Sequence, residues 1–128
     1  MNIVINAKLK DFLQKNKFEK VFLIRGKRAG LYMFPKKEWL QMGKKLRQQL
    51  GSKAASDLLD TLIKGTNEID LKKHGFMRIP IPAYLVKWSG LKKNVVGVCC
   101  PEMITFFPDK SCLPENKGSP LIIEGIVS

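Results

Sequence analysis

Cations crowd two short stretches of this sequence: Arg25, Lys27 and Arg28 around one glycine-bounded turn, and Lys72, Lys73 and His74 shortly before Arg78. Lys8 and Lys10 add a third group near the start. Lysine is a flexible point charge suited to a phosphate, whereas the guanidinium fork of Arg78 matches the paired acceptors of guanine in a major groove. Duplex recognition needs both, cations to hold the backbone and a forked donor to read base edges. Each residue also has a plainer reading. A single lysine is most often a solvated surface charge. Arg78 has Asp70 and Glu68 near it in sequence for an ion pair within the fold, and His74, the only histidine, is more often structural than functional.

The whole chain supports the cationic theme. It carries 23 Lys and Arg against 11 Asp and Glu, a net charge of +12 over 128 residues. The stretch up to Arg47 alone holds 13 of the cations and 3 of the acids. Such a bias attracts polyanions, nucleic acid first and an anionic membrane surface second. RNA ranks below duplex DNA because no aromatic stacking platform is evident. No apolar run approaches the roughly 20 residues that span a bilayer. The start, Met1-Asn2-Ile3-Val4-Ile5-Asn6, is too short in apolar residues for a secretory leader, so a cytoplasmic protein without membrane contact is expected.

Other chemistries find little support. Cys99, Cys100 and Cys112 are odd in number and lack zinc spacing, which reads as small buried hydrophobes in a reducing compartment. No metal or other cofactor is expected. Ser89-Gly90-Leu91-Lys92 matches a Ser-x-x-Lys pattern, but no Ser-Asp-Asn or Lys-Thr-Gly accompanies it. One histidine leaves little for general base work. Neither an enzyme nor a small-molecule substrate is expected.

Stepping through the chain, alternation in Asn2-Ile3-Val4-Ile5-Asn6 predicts a strand. Ala7 to Gln14 reads as a short helix, Val21 to Arg25 as a strand, and Leu31-Tyr32-Met33-Phe34 as its return, closed by Pro35. Trp39, Met42, Leu46 and Leu50 recur at helical spacing until Gly51. Ala55, Leu58, Leu59, Leu62 and Ile63 line a second helix begun at Ser52. The pair reads as an antiparallel hairpin whose stripes belong to the core. After a polar link, Phe76 to Ile81 is a strand, Pro82 to Trp88 a short helix, and Val95 to Cys99 and Met103 to Phe107 a hairpin. Trp39 and Trp88 are both expected in the core. A last strand, Leu121 to Val127, is placed at an edge.

The second β region repeats the first. Ile3-Val4-Ile5-Asn6-Ala7-Lys8-Leu9 lies over Ile79-Pro80-Ile81-Pro82-Ala83-Tyr84-Leu85. Lys20 lies over Lys93, Leu31 over Ile104, and Phe34-Pro35 over Phe107-Pro108. Units this short cannot each bury a core alone, so two copies must pack together or interleave.

These stretches resemble the MraZ family, within the AbrB/MazE/MraZ-like superfamily with its SpoVT-AbrB type domain. The best match is Arg78-Ile79-Pro80-Ile81-Pro82-Ala83-Tyr84-Leu85 with Gly90-Leu91-Lys92-Lys93-Asn94-Val95-Val96-Gly97-Val98. The run from Leu31 through Pro35 to Trp39 is similar to the family's strand, proline and tryptophan leading into the first helix. The resemblance covers most of Met1 to Pro108. It implies an α+β fold in which two β-rich AbrB-like repeats, of double-split β-barrel type, flank a helical hairpin. The units are residues 1–37, 38–66 for the hairpin, 67–110, and a tail at 111–128, all one structural domain.

The resemblance implies a DNA-binding transcriptional regulator. It would be nucleoid-associated and act as an oligomer, possibly ring-shaped, on repeated DNA elements near cell-division and cell-wall genes. The alternative is a protein-interaction or antitoxin-like module of the same fold. The family carries Asp-x-x-x-Arg in both halves. Here His74 stands four residues before Arg78 and the nearest Asp is Asp70, while Asn2 takes the place of the first Arg and Asn6 that of the first Pro, so the first half's motif is expected to be truncated. The tail after Pro108 does not resemble the family's C-terminal helix.

Overall fold

The first strand, β1 (Asn2–Val4), leads into α1 (Ala7–Lys15) through Asn6, whose Oδ1 accepts the N–H of Leu9 at 2.9 Å. That bond satisfies one of the donors that every helix start leaves without a partner. Leu9 and Leu13, one turn apart on the same face, point inward. The chain then forms the hairpin β2 (Lys20–Arg25) and β3 (Leu31–Pro35). Pro35 ends the strand and stands at the start of α2 (Lys36–Leu50), and Gly51, with φ at 83°, stops it. Glycine enters that left-handed region without the cost a Cβ would bring. After α3 (Ser52–Ile63) come β4 (Glu68–Asp70), β5 (Arg78–Pro80), α4 (Ala83–Ser89), β6 (Asn94–Cys100), β7 (Met103–Phe107) and β8 (Leu121–Val127). The computed structural model describes residues 1–26, 30–63, 68–109 and 121–128, with the backbone alone for 59–63. Most of the tail expected at 111–128, through residue 120, and the side chains of Leu59, Leu62 and Ile63 therefore lie outside the described residues.

The strands form one mixed-in-sequence, antiparallel sheet in the order β4-β2-β3-β7-β6-β8-β1-β5, nearly closed on itself, with helices attached. This is an α+β arrangement. Its inside is filled by Ile3, Leu13, Phe18, Val21, Leu23, Leu31, Met33, Leu71, Ile79, Leu85, Ile104 and Phe106. Full burial of such side chains contributes about 1.5–3 kcal/mol each.

Two strand contacts organise the sheet. β1 lies beside β5 with Ile3 opposite Ile79, Asn2 opposite Pro80 and Val4 opposite Arg78. β3 lies beside β7 with Tyr32 opposite Thr105, Leu31 opposite Phe106 and Met33 opposite Ile104. Exchanging the matched sequence positions leaves both registers unchanged, about Ile3–Ile79 in one and Tyr32–Thr105 in the other. One detail shifts. Leu23 faces Met33 and Gly97 faces Phe106, so Leu23 corresponds to Gly97, one residue off the match of Lys20 with Lys93.

Several expectations need correction. β8 is not at an edge: it pairs with both β6 and β1, and the edges are β4 and β5. The strand expected from Phe76 to Ile81 is shorter, because Phe76 has φ at 53° and turns the chain. β4 sits in what reads as a polar link, its three residues too few for a pattern. Trp39 is core, its ring 5.5 Å from Phe22 and 6.5 Å from Phe34. Trp88 is not core, being 42% exposed. The α2 stripe fades toward its end, where Leu50 is exposed, and on α3 Ala55 is buried while Leu58 is exposed.

Candidate nucleic-acid interface

Residues 71–77 carry the chain from β4 to β5, and the local chemistry explains their shape. The Asp70 carboxylate accepts the backbone N–H groups of Lys72 at 3.1 Å and Lys73 at 3.4 Å, a turn that Asp favours because its short side chain reaches its own following backbone. Leu71 anchors the turn. Its side chain is fully buried, its N–H donates to the Glu19 carbonyl at 2.8 Å, and its carbonyl accepts from His74 and Phe76. Gly75 at φ 62° helps reverse the chain, and the Met77 carbonyl accepts the Ile5 N–H at 2.9 Å.

Lys72 and Lys73 are consequently exposed on an anchored turn, and His74 is half-buried. Lys73, His74 and Arg78 line one open depression with Val4, Gly75, Met77 and Ser128, and among the described residues no Asp or Glu lines it, whereas Lys73 and His74 also border a neighbouring depression with Glu68 and Asp70. Arg78 is exposed at the start of β5. Neither of the two acids weighed as its ion-pair partner takes that role. Glu68 pairs with Lys36 at 3.3 Å, and Asp70 holds the turn. Among the described residues no ion pair joins Arg78.

The second basic turn is built differently. The Arg25 guanidinium lies 4.6 Å from the centroid of the Trp88 ring. Trp88 Nε1–H donates to the Gly26 carbonyl at 3.2 Å. Gly26 N–H donates to Gly30 at 3.0 Å, and Gly30 N–H donates to the Ser89 carbonyl at 3.0 Å. The base of this loop is thus clamped to the end of α4, while Lys27 and Arg28 lie outside the described residues. Trp88 in this role was not legible as such; the spacing of Tyr84 and Trp88, one helical turn apart and both exposed, is the signal that points to it. Lys8 and Lys10 are exposed on α1, but two residues apart on a helix they face different ways, and neither lines the depression.

Other expected sites resolve simply. Ser89 is fully buried, its Oγ donating to the Val86 carbonyl at 3.0 Å and accepting from Leu91 N–H at 3.2 Å. The Ser-x-x-Lys pattern is therefore a helix end followed by a link. Cys99 is buried, and that burial, then the neighbouring Cys100, pushes its thiol up to about 12, so it stays protonated and unreactive. Cys112 lies outside the described residues. Among the described residues no group of three or more His, Cys, Asp or Glu is placed to hold a metal ion, and no helix is long and apolar enough to cross a membrane.

Two proteins named transcriptional regulator MraZ are similar to this chain. That of Clostridium tetani is 31% identical over 97 residues, 75% of this chain and 64% of that protein. That of Clostridium acetobutylicum is 25% identical over 118 residues, 91% of this chain and 79% of that protein. The match thus spans a little under two thirds of the Clostridium tetani protein. No protein-family model matches the chain.

Proposed function

This chain belongs to the MraZ family, and from that premise we propose that it is a DNA-binding transcriptional regulator, cytoplasmic and nucleoid-associated. The observation that carries the reading is the turn between β4 and β5. It presents Lys73, His74 and Arg78 around one depression that, among the described residues, no Asp or Glu lines. Lys72 and Lys73 meet phosphates there and Arg78 reads a base edge. Arg25, with Lys27 and Arg28 beyond it in the loop, and Lys8 and Lys10 on α1 add phosphate contacts elsewhere. The protein performs no catalysis in this reading and needs no cofactor.

The test is duplex binding across a salt series. With about six phosphate contacts, affinity falls roughly a thousandfold between 50 and 200 mM salt. Flat binding, or none at low salt, overturns the reading. The regulator acts as an oligomer, with a closed ring as one form, on repeated elements near cell-division and cell-wall genes. Light scattering that gives a monomer at micromolar concentration contradicts the oligomer. A second reading, a protein-interaction or antitoxin-like module, is favoured by the exposed Met77, 71% accessible, and Ile126, 61% accessible, near the same depression.

A further inference from the structure

β8 follows β7 in sequence yet lies between β6 and β1, paired with both. Its relation to β6 reproduces that of β4 to β2. Lys20 faces Asp70, Val21 faces Ile69 and Phe22 faces Glu68. Asn94 faces Ile126, Val95 faces Gly125 and Val96 faces Glu124. With Leu23 matched to Gly97, as the two hairpins require, Glu68 corresponds to Glu124 and Asp70 to Ile126.

We propose that β8 is the front strand of the first half, displaced to the far side of the sequence, so that the described residues carry one base-reading turn where a symmetric fold would carry two. The second clause rests on the DNA reading of the turn above. β4 runs through residues 71–77 into β5. Nothing in a linear chain can run from β8 forward into β1, because β8 comes after it. The two strands meet without a link: Asn2 N–H donates to the Ser128 carbonyl at 2.7 Å and Ser128 N–H to that of Asn2 at 2.8 Å. The side chains agree with this. Asp70, which holds the turn, corresponds to Ile126, which has no acceptor. Arg78 corresponds to Asn2, by the register of Ile3 with Ile79. The first half ties β8 down instead, for Asn6 Nδ2–H donates to the Glu124 carbonyl at 2.8 Å. The described residues therefore offer duplex DNA a single base-reading turn, beside the β1–β5 contact.

A cross-link tests the strand. Val4 faces Ile126 in the register and both are exposed. Directly opposed antiparallel residues lie about 4.5–5.5 Å apart at Cα, within the span of a disulfide, so the intact Val4→Cys, Ile126→Cys chain is expected to form one on mild oxidation, located by peptide mapping. Its failure to form overturns the proposal. Two permuted chains test the turn, each reopened between Pro120 and Leu121 with Ser128 joined to Met1. With a neutral Gly-Asn-Gly-Ser link, the chain is expected to keep its β-sheet circular dichroism, a cooperative melt and the parent's salt dependence. With a Lys-His-Gly-Phe link plus Asn2→Arg, Ile126→Asp and Ser128→Lys, a second cationic turn is rebuilt. The slope of log affinity against log salt then steepens by about 2–3 units. An unchanged slope in that folded chain overturns the proposal, as does a neutrally linked chain that fails to fold although the cross-link forms. Should the parent not bind DNA, the regulator reading falls, while the cross-link and the melt of the neutral permutant still decide where β8 belongs.

Discussion

In the second half of the sheet, β5 emerges from a turn held by Asp70, studded with Lys72 and Lys73, and finished by Arg78. In the first half, β1 has Asn2 in the place of that arginine and lies against β8, whose Ile126 is exposed. The inward residues, however, are alike: Ile3 and Ile79 are both fully buried, opposite one another. The contrast separates two demands on one frame. Ile3 and Ile79 are both buried because the sheet cannot close its core without them, whereas of the two strands only β5 has cations clustered before it. A cationic turn is therefore not something the fold requires.

The sharpest way to break the likeness of the halves lies in their hairpins. β6 and β7 are joined through Pro101 and Glu102, while β2 and β3 are joined by residues 26–30. There, Gly30 has φ at 82°, and a Cβ on it would run into the Phe106 carbonyl oxygen. Gly30→Ala is expected to cost about 3–4 kcal/mol by urea unfolding, from left-handed strain plus a conflict with main chain that cannot move aside. Gly97→Ala, whose Cβ would sit 3.3 Å from the Phe106 ring, is expected to cost nearer to 1 kcal/mol.

The central pair probes the packing directly. Ile3→Ala and Ile79→Ala should each destabilise by about 2–4 kcal/mol, and by similar amounts. A large inequality would show that the two halves do not share the core evenly.

Arg78 and Asn2 test the difference in function. Arg78→Ala is expected to remove about 1–3 kcal/mol of discrimination between DNA sequences and to leave the thermal midpoint unchanged. Asn2→Ala should leave discrimination intact. An Arg78→Ala protein that melts early, or keeps its full sequence preference, would move recognition to the Arg25 loop. Asp70→Ala removes the acceptor of two turn N–H groups and is expected to cost about 1 kcal/mol, while Ile126→Ala has no such bond to lose. The smallest effect is that of Lys8→Ala, which should weaken binding to all sequences alike and make the salt slope shallower by about one unit.

Much of this was legible before any tertiary contact was known. Alternation in Asn2-Ile3-Val4, the helical spacing of Leu9 and Leu13, and the stops at Pro35 and Gly51 each reflect a rule acting within a few residues. The matched stretches around Ile3 and Ile79 implied that two units pack together or interleave, but not which strands pair. The candidate site was half legible. The cluster of cations before Arg78 stood out, but the choice between an ion pair and an unpaired guanidinium did not. Asp70 is near Arg78 in sequence either way, and only the folded turn commits its carboxylate to the backbone of Lys72 and Lys73.

By itself, the sequence determined most of the elements, most of their buried faces and the strong positive charge, because period, backbone preference and composition are local properties. The tertiary structure alone decided where β8 goes, which strands form the edges, and that Trp88 lies outside the core holding Arg25 and Gly26. A strand's pattern says which of its faces is apolar but not which neighbour will satisfy its N–H and C=O groups. The residues of β8 read equally well at an edge or in the middle. Their place between β6 and β1 follows from which backbone edges the rest of the sheet leaves to be paired.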